Sequence, residues 1–210
     1  MKSIVVESQY LPGIAYFSLL ASANTIIIDG HENYVRQTYR NRAEILGPNG
    51  IINLTVPVER GRSKQLMKET LIDNTSNWQK IHWRSIQSSY GKSPFFEYYA
   101  DQLVSYYERE YRYLVDLNHD LLSCLLKVVD LDVQWSYSKQ YVESESVDIQ
   151  DYRSIVNPKR KKDYLEKLST LAYPQVFGSK FVTGMSLIDM LFCEGPNTGS
   201  MIRKMAMMWH

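Results

Sequence analysis

The fold is decided by the first 31 residues of the chain, which read MKSIVVESQYLPGIAYFSLLASANTIIIDGH. Two short runs rich in β-branched residues, Ser3–Val6 and residues 25–29, flank an apolar segment at residues 16–23. That segment is long enough for about two turns of helix. Both runs are apolar rather than alternating, which is typical of strands buried on both faces of a parallel sheet. The opening therefore predicts a strand, a helix and a second strand of an α/β fold.

The next part of the chain predicts a β-hairpin and two further strands. Residues 34–46 and 51–58 are extended runs separated by the turn sequence GPNG at residues 47–50. Residues 69–72 and 133–137 have the composition of short strands. The hairpin is therefore expected as an insertion that follows the second strand.

Helical periodicity dominates the middle of the chain. Apolar residues at three- and four-residue spacing predict helices at residues 77–90, from residue 93 onward, and at residues 112–129. A shorter apolar helix is predicted at residues 186–193. The stretch at residues 138–167 is rich in Glu, Asp, Lys and Ser, which predicts a long loop or a mobile segment.

Together these patterns predict a mostly parallel Rossmann-like sheet of the α/β class, with an inserted β-hairpin and several helices. The chain has 210 residues, of which 44% are apolar and 22% charged. This size and balance are those of one folded domain, so we expect residues 1–210 to form a single domain.

Charge and hydropathy exclude several classes of protein. The net charge of +1 argues against wholesale binding to nucleic acid or to an anionic membrane. No apolar run approaches the roughly 18 residues of a membrane-spanning helix, and the N-terminus lacks the apolar core of a signal peptide. We therefore expect a cytoplasmic protein without a membrane span. Cys124 and Cys193 lie among apolar residues and are predicted to be free thiols.

Familiar cofactor and metal motifs are absent from the sequence. There is no Gly-rich phosphate loop, no G-x-S-x-G elbow and no H-E-x-x-H, and the chain has only four histidines. We predict no metal site, and the sequence leaves the cofactor unknown.

An arginine cluster is the most informative local feature. If residues 35–45 are extended, side chains two positions apart share a face, which places Arg36, Arg40 and Arg42 together. Guanidinium groups at such spacing repel one another unless an anion lies opposite, and a phosphate or carboxylate ligand would bind them through paired hydrogen bonds. The alternative is a solvated edge strand protected by its charge. The expected partner is an anionic small molecule such as a nucleotide sugar or an acyl donor.

Two histidines are candidates for proton transfer. Asp29 and His31 follow the second buried strand, at the end of the strand where ligands bind in open α/β sheets, and an imidazole near a carboxylate can act as a general base. The alternative is an exposed histidine in a turn. His82 lies on the apolar stripe of its helix, where its ring needs a partner, either as a core histidine or as a catalyst. Asn118 lies on another apolar stripe and is expected to form a structural hydrogen bond.

A series of short motifs in a fixed order resembles the WbqC-like family along nearly the whole chain. These motifs are Gln9-Tyr10-Leu11-Pro12, Arg40-Asn41-Arg42, Leu54-Thr55-Val56-Pro57-Val58, Asp73-Asn74 with Trp78 and His82, Pro94-Phe95-Phe96, Leu117-Asn118, Tyr173-Pro174-Gln175, and Ser186-Leu187-Ile188-Asp189 before Gly195-Pro196.

The resemblance implies a role in bacterial surface-polysaccharide or sugar modification. Together with the arginine cluster, this role predicts a transferase that uses a phosphate-bearing activated donor. The expected catalytic residues are His31, Asp29 and His82. The expected substrate-binding residues are Gln9, Tyr10, Arg36, Arg40, Asn41, Arg42, Asn74 and Trp78.

The sequence departs from the family pattern in two places. The usual opening His-Gln-Pro is replaced by Glu7-Ser8-Gln9-Tyr10, which lacks the histidine, and a Gly-rich segment before Tyr173 is replaced by polar residues 147–165. A catalytic histidine at the opening, if the family has one, is therefore absent here.

A second class of function stays open beside the transferase. A non-catalytic protein of the same pathway could bind a ligand or a partner through its 16 tyrosines and its Met-rich C-terminus. For either function, a homo-oligomer stays an open prediction. A transferase requires the two histidines, Asp29 and the arginines to converge in one pocket, whereas a binding protein does not.

Overall fold

The computed structural model describes residues 3–59, 61, 64–143, 149–168 and 171–209 of the chain. Its strands are β1 (Ser3–Val6), β2 (Thr25–Ile28), β3 (Arg42–Gly47), β4 (Gly50–Thr55), β5 (Gln134–Tyr137) and β6 (Ile149–Asp151). Its helices are α1 (Ile14–Ala21), α2 (Trp78–Tyr90), α3 (Phe96–Glu108), α4 (Leu114–Val128), α5 (Lys161–Lys167), α6 (Leu187–Glu194) and α7 (Asn197–Ala206).

Four strands form a fully parallel sheet in the order β5-β2-β1-β6. The register pairs Ile4 with Ile26 and Val6 with Ile28, and all four of these side chains are completely buried. Burial on both faces explains why these strands are continuous apolar runs. The predicted α/β class is confirmed, and the carboxyl ends of all four strands point to the same edge of the sheet.

The inserted hairpin is confirmed, but its first strand is shorter than predicted. β3 and β4 pair in antiparallel fashion around the predicted turn, where Gly50 has a φ of 111° that favours glycine. Residues 34–41 are not a strand, contrary to the sequence prediction. Tyr34 donates its backbone N–H to Gln65, and the carbonyl of Tyr39 accepts from Tyr10, so contacts distant in sequence hold this segment in an irregular path.

The predicted strand at residues 69–72 is also wrong. A short 3-10 helix occupies Met67–Glu69, and only isolated bridges follow, from Leu71 to Tyr113 and from Ile72 to Val58. Each of these bridges satisfies one pair of backbone groups without starting a sheet.

The helices form around one buried apolar cluster that also contains the sheet. The predicted helices at residues 77–90 and 112–129 correspond to α2 and α4. On α4, Leu117, Leu121 and Leu125 have no exposed surface, as the three- and four-residue spacing predicts. Replacing one such leucine by alanine would cost roughly 2–5 kcal/mol. Cys124 is half-buried, Cys193 is buried, and both are free thiols.

The polar stretch at residues 138–167 contains more regular structure than the predicted loop. Ile149–Asp151 forms β6 against β1, and α5 covers Lys161–Lys167. Residues 144–148 of this stretch lie outside the described residues. A three-residue edge strand gives too short a pattern to be recognised among polar neighbours. None of the helices in the described part of the chain has both the length and the apolar character that a bilayer span requires.

Candidate functional site

Polar side chains gather where the four parallel strands end. Glu7 follows β1, Asp29 and His31 follow β2, Ser138 follows β5, and Arg153 follows β6. We call these five residues the carboxyl-edge cluster. Ligands of parallel α/β proteins bind at this edge, because the connecting segments leave a crevice there.

His31 is oriented through Ser138 by a buried carboxylate. Asp29 has no exposed surface, and its Oδ1 accepts the backbone N–H of His31 at 2.9 Å and the hydroxyl of Ser138 at 2.8 Å. The Nδ1 of His31 lies 3.3 Å from the Ser138 Oγ. Because the proton of Ser138 goes to Asp29, the imidazole is the donor in this contact, which leaves Nε2 with a free lone pair. His31 is half-buried, so its ring is partly open to solvent at this edge.

Arg153 neutralises the carboxylate beneath the imidazole. Its Nη1 lies 2.6 Å from Asp29 Oδ2, its Nε and Nη2 bind Asp151, and its guanidinium lies 4.7 Å from the centre of the Tyr141 ring. Burial alone would lower the pKa of Arg153, but the hydrogen bonds and charge of Asp151 raise it above its usual value. Arg153 therefore stays charged, and its ion pair fixes the position of the Asp29 carboxyl group.

Glu7 connects the ends of β1 and β6. Its Oε1 accepts from Gln9 Nε2 at 2.8 Å, and its Oε2 accepts the backbone N–H of Ser154 at 2.8 Å. Gln9 Nε2 also donates to the Val156 carbonyl. The Oε1 of Gln9 is buried and has no hydrogen-bond partner within the described ranges. From β1 the chain adds β2 and β5 on one side of the sheet, and it then adds β6 on the other side of β1. Ligands of α/β proteins bind at such a switch point in strand order.

The predicted arginines differ in what they contact. Arg40 is buried and forms two hydrogen bonds to Glu32, at 2.8 and 2.6 Å. Burial raises the pKa of Glu32 to about 7, while the bonds from Arg40 act against that rise. Arg36 is exposed. Arg42 is half-buried, and its Nε is buried without a hydrogen-bond partner in the described part of the chain.

The three arginines nevertheless lie around one side chain. Burial raises the pKa of Tyr34 to about 12, and the charges of Arg36, Arg40 and Arg42 each act to lower it. Their proximity does not require the extended strand that the sequence suggested. Arg60 and Arg62, which follow the second run of the hairpin in the sequence and were predicted to lie near its far end, are outside the described residues.

His82 lies in a separate, buried chain of hydrogen bonds. Its Nδ1 is 2.9 Å from the Tyr10 hydroxyl, which lies 3.0 Å from the Tyr107 hydroxyl, and the ring also bonds the backbone of Thr55. Burial lowers the pKa of His82 to about 4. The ring is therefore neutral at pH 7 with both nitrogens engaged, and Tyr10 binds His82 rather than His31.

The other predicted substrate residues bind the protein backbone or each other. Asn41 Nδ2 donates to the Val56 carbonyl at 2.8 Å, beside β4. Asn74 Nδ2 donates to the Tyr111 carbonyl at 2.9 Å, and Asn74 Oδ1 accepts from the buried indole of Trp78 at 3.2 Å. These bonds anchor the hairpin and the start of α2.

Sequence reasoning missed Glu7, Ser138 and Arg153 as members of the cluster. Ser138 comes directly after the predicted strand at residues 133–137, so the rule that selected His31 could have selected it too. Arg153 lay inside the polar stretch and gave no comparable signal. Asn118 does form the expected structural bonds, from its Nδ2 to Ser8 Oγ and to the Arg40 carbonyl. Across the described ranges, no three His, Cys, Asp or Glu side chains are grouped as metal ligands.

Comparisons with known proteins agree with the motifs in the sequence. The chain matches the model of the WbqC-like protein family over residues 7–168. It is 29% identical to an uncharacterised protein of Mycobacterium tuberculosis, Rv1507c, in an alignment that covers 96% of this chain and 97% of that protein. No solved structure matches it.

Proposed function

The chain belongs to the WbqC-like protein family, and we propose that it is a transferase that uses a phosphate-bearing activated donor in sugar or surface-polysaccharide modification. One observation carries the proposal: a half-exposed imidazole, His31, oriented through Ser138 to the buried Asp29 at the carboxyl edge of a parallel sheet. A transfer reaction to a hydroxyl or amine needs a base of this kind. The polysaccharide context comes from the resemblance to the family.

In the proposed reaction, His31 Nε2 takes the proton of the acceptor hydroxyl or amine. The acceptor atom forms a bond to the transferred group while the bond to the phosphate-bearing leaving group breaks and its electron pair departs with that group. Asp29, Ser138 and Arg153 are positioning residues, since they hold the imidazole and its charge balance. We assign the proton to His31 rather than to His82, because both nitrogens of His82 already have partners.

The arginines around Tyr34 are proposed to hold the donor. Arg42 has a buried Nε without a partner in the described structure, and Arg36 is exposed, so both can bind an anion. Arg40 is held by Glu32, and its charge also acts on Tyr34. Fixed cations near a phosphate stabilise the negative charge that grows on the leaving group. Gln9 Oε1, also buried and unpaired among the described contacts, is proposed to accept a hydrogen bond from substrate.

A non-catalytic binding protein is the second candidate. One observation that favours it is that His82 lies in a separate network from Asp29 and His31, so the convergence expected of a transferase is incomplete. Another is that Arg40 and Arg153 already pair with carboxylates of the same chain. Such pairing needs no ligand and no reaction. The two candidates differ in whether His31 has a kinetic role.

Thermal unfolding with donor candidates tests the proposal. A ligand that binds only the folded state adds about 2.7 kcal/mol to the free energy of unfolding at a concentration of 100 times Kd, and the thermal midpoint rises as a result. Nucleotide sugars, coenzyme A esters and nucleoside triphosphates are added to the wild type, to Arg42→Ala and to Arg84→Ala. Arg84 lies exposed on α2, so its variant controls for the loss of one surface charge.

We expect one donor class to raise the midpoint of the wild type and of Arg84→Ala, but not that of Arg42→Ala. The donor found in this way then serves for turnover measurements. An unchanged midpoint with all three classes would contradict an anionic donor at this site. A midpoint rise without any turnover would favour the binding protein.

A further inference from the structure

A pocket outside the carboxyl-edge cluster lies just beyond the end of β6. It has a volume of about 270 Å³ and is bounded by residues 152–168 on one side and by the C-terminal Met208 and Trp209 on the other. A pocket of this size holds one ring-sized ligand rather than a complete nucleotide sugar. Neither the motifs of the family nor the carboxyl-edge cluster accounts for it.

The walls of this pocket are aromatic and fixed in position. Tyr152 and Trp209 meet edge to face, with ring centres 6.2 Å apart at 82°. The Trp209 indole donates to Ser18 Oγ at 2.9 Å, which ties the C-terminus to α1. Tyr164 forms a third wall, and its hydroxyl lies 3.3 Å from that of Tyr39. Rigid aromatic faces with anchored polar ends provide binding area at a low entropy cost.

The mouth of the pocket carries one cation and one anion. Arg160 and Asp163 line it, and their charged groups lie 3.4 Å apart with roughly half of each side chain exposed. Their formal charges cancel, which gives a phosphate or carboxylate little attraction. Together they offer both donors and acceptors, which match hydroxyl groups because each hydroxyl is itself a donor and an acceptor. This chemistry fits a neutral polyol ring.

The pocket shares its backbone with the proposed active site. Arg153 reaches Asp29, while the residue before it, Tyr152, and the residue two positions after it, Ile155, line the pocket. The carbonyl of the next residue, Val156, accepts from Gln9. One turn after β6 therefore contributes to both places, beside the switch point between β1 and β6.

We propose that this pocket binds a neutral pyranose ring, the sugar acceptor of the transfer. The pyranose stacks its apolar C–H face on Trp209 or Tyr152, and its hydroxyl groups bond Arg160 and Asp163. The acceptor role rests on the proposed transferase function, whereas the binding of a pyranose in the pocket does not.

Saturation-transfer NMR on the full chain tests this inference. The probes are the methyl pyranosides of glucose, galactose, mannose and N-acetylglucosamine. The variants are Trp209→Leu, Trp209→Phe, Arg160→Gln and, as a matched control, Lys162→Gln. Lys162 lies two residues after Arg160, in the first turn of α5, but its side chain is 86% exposed and does not line the pocket.

We expect at least one pyranoside to bind the wild type, at least fivefold weaker binding in Trp209→Leu and Arg160→Gln, and near wild-type binding in Trp209→Phe and Lys162→Gln. If Trp209→Leu loses its thermal transition, Arg160→Gln decides alone, because its side chain is half exposed. The inference is overturned if no pyranoside binds, or if Arg160→Gln binds as well as Lys162→Gln.

The outcome separates this inference from the proposed function. Donor binding that is lost in Arg42→Ala, without binding of any pyranoside, would overturn the pocket assignment and leave the donor site standing. Pyranoside binding that depends on Arg160, without any donor or turnover, would support the pocket and overturn the transferase.

Discussion

His31 and His82 have the same side chain but opposite surroundings. His31 is half-buried at the carboxyl edge, its Nδ1 lies against Ser138, and we propose that its Nε2 faces the substrate. His82 is 4% exposed, and its nitrogens bond Tyr10 and the backbone of Thr55. The first arrangement fixes the tautomer and keeps one lone pair free, whereas the second uses the whole ring to satisfy buried polar groups. In each histidine one ring nitrogen contacts a hydroxyl group. The other nitrogen distinguishes the proposed base, His31, from the structural residue, His82.

The sharpest way to break this comparison is to remove each imidazole and measure rate and stability together. We expect His31→Gln to lower kcat by about 10²–10⁴-fold, the usual contribution of a general base, with little change in the thermal midpoint. His82→Gln should show the reverse, a lower midpoint with most of the turnover retained in the folded fraction. The assay uses the donor identified by thermal unfolding. If His82→Gln loses more turnover than His31→Gln, the assignment of the base is wrong.

The pH dependence of stability tests whether His82 is a buried, neutral residue. The pKa of His82 is about 4 in the folded protein and near 6.5 in the unfolded chain. As the pH falls below 6.5, the unfolded chain gains a proton at this position before the folded protein does, so the free energy of unfolding decreases. Between pH 7.5 and pH 5 this amounts to about 2 kcal/mol. When the pH is lowered from 7.5 to 5, urea unfolding should show the free energy of unfolding of the wild type falling by about 2 kcal/mol relative to that of His82→Gln.

Glu32 titrates in the opposite sense over part of the same range. Burial raises its pKa to about 7, so its contribution to stability is fully present below its ordinary value near 4.5 and is lost as the pH rises through 7. The wild type and His82→Gln both contain Glu32, so its contribution to the pH dependence of stability cancels in the difference between them. Equal pH dependence in the two chains would contradict the buried, neutral state of His82.

The smallest effect is expected from the link between His31 and Asp29. Ser138→Ala removes one hydrogen bond that orients the imidazole, which is worth about 1 kcal/mol, or roughly a fivefold loss in kcat. Ser138→Thr keeps the hydroxyl and should retain most of the rate. A merely structural role would change the midpoint but not the pH profile of kcat, so both are measured. An unchanged profile in Ser138→Ala would remove Ser138 from the positioning set.

Much of the fold could be predicted because its signals are local. The parallel strands are buried on both faces and leave unbroken apolar runs, and the hairpin turn needs a glycine such as Gly50 at a positive φ. The path of residues 34–41 depends on bonds to Tyr10 and Gln65, which no local pattern encodes. β6 was missed because it has only three residues among polar neighbours and its partner β1 is distant in the sequence.

Some residues of the candidate site could likewise be predicted from local sequence, and others could not. Asp29 and His31 follow a recognisable strand, so the rule for strand ends selected them before the structure was known. Arg153 follows a strand that the sequence did not reveal, and its partners Asp29 and Val142 come from two other segments. The place of His82 on an apolar stripe was visible, but its bond to Tyr10 joins residues 72 positions apart.

The hydrogen bond between Glu7 and Ser154 joins residues 147 positions apart. β1, α1 and β2 lie within residues 3–28 and can associate with one another soon after they are synthesised, whereas β6 and Arg153 are synthesised well after them. Contacts of such sequence separation form slowly, because a long loop must close before they stabilise the protein. The edge where we place the chemistry is therefore expected to be among the last parts of the molecule to assemble.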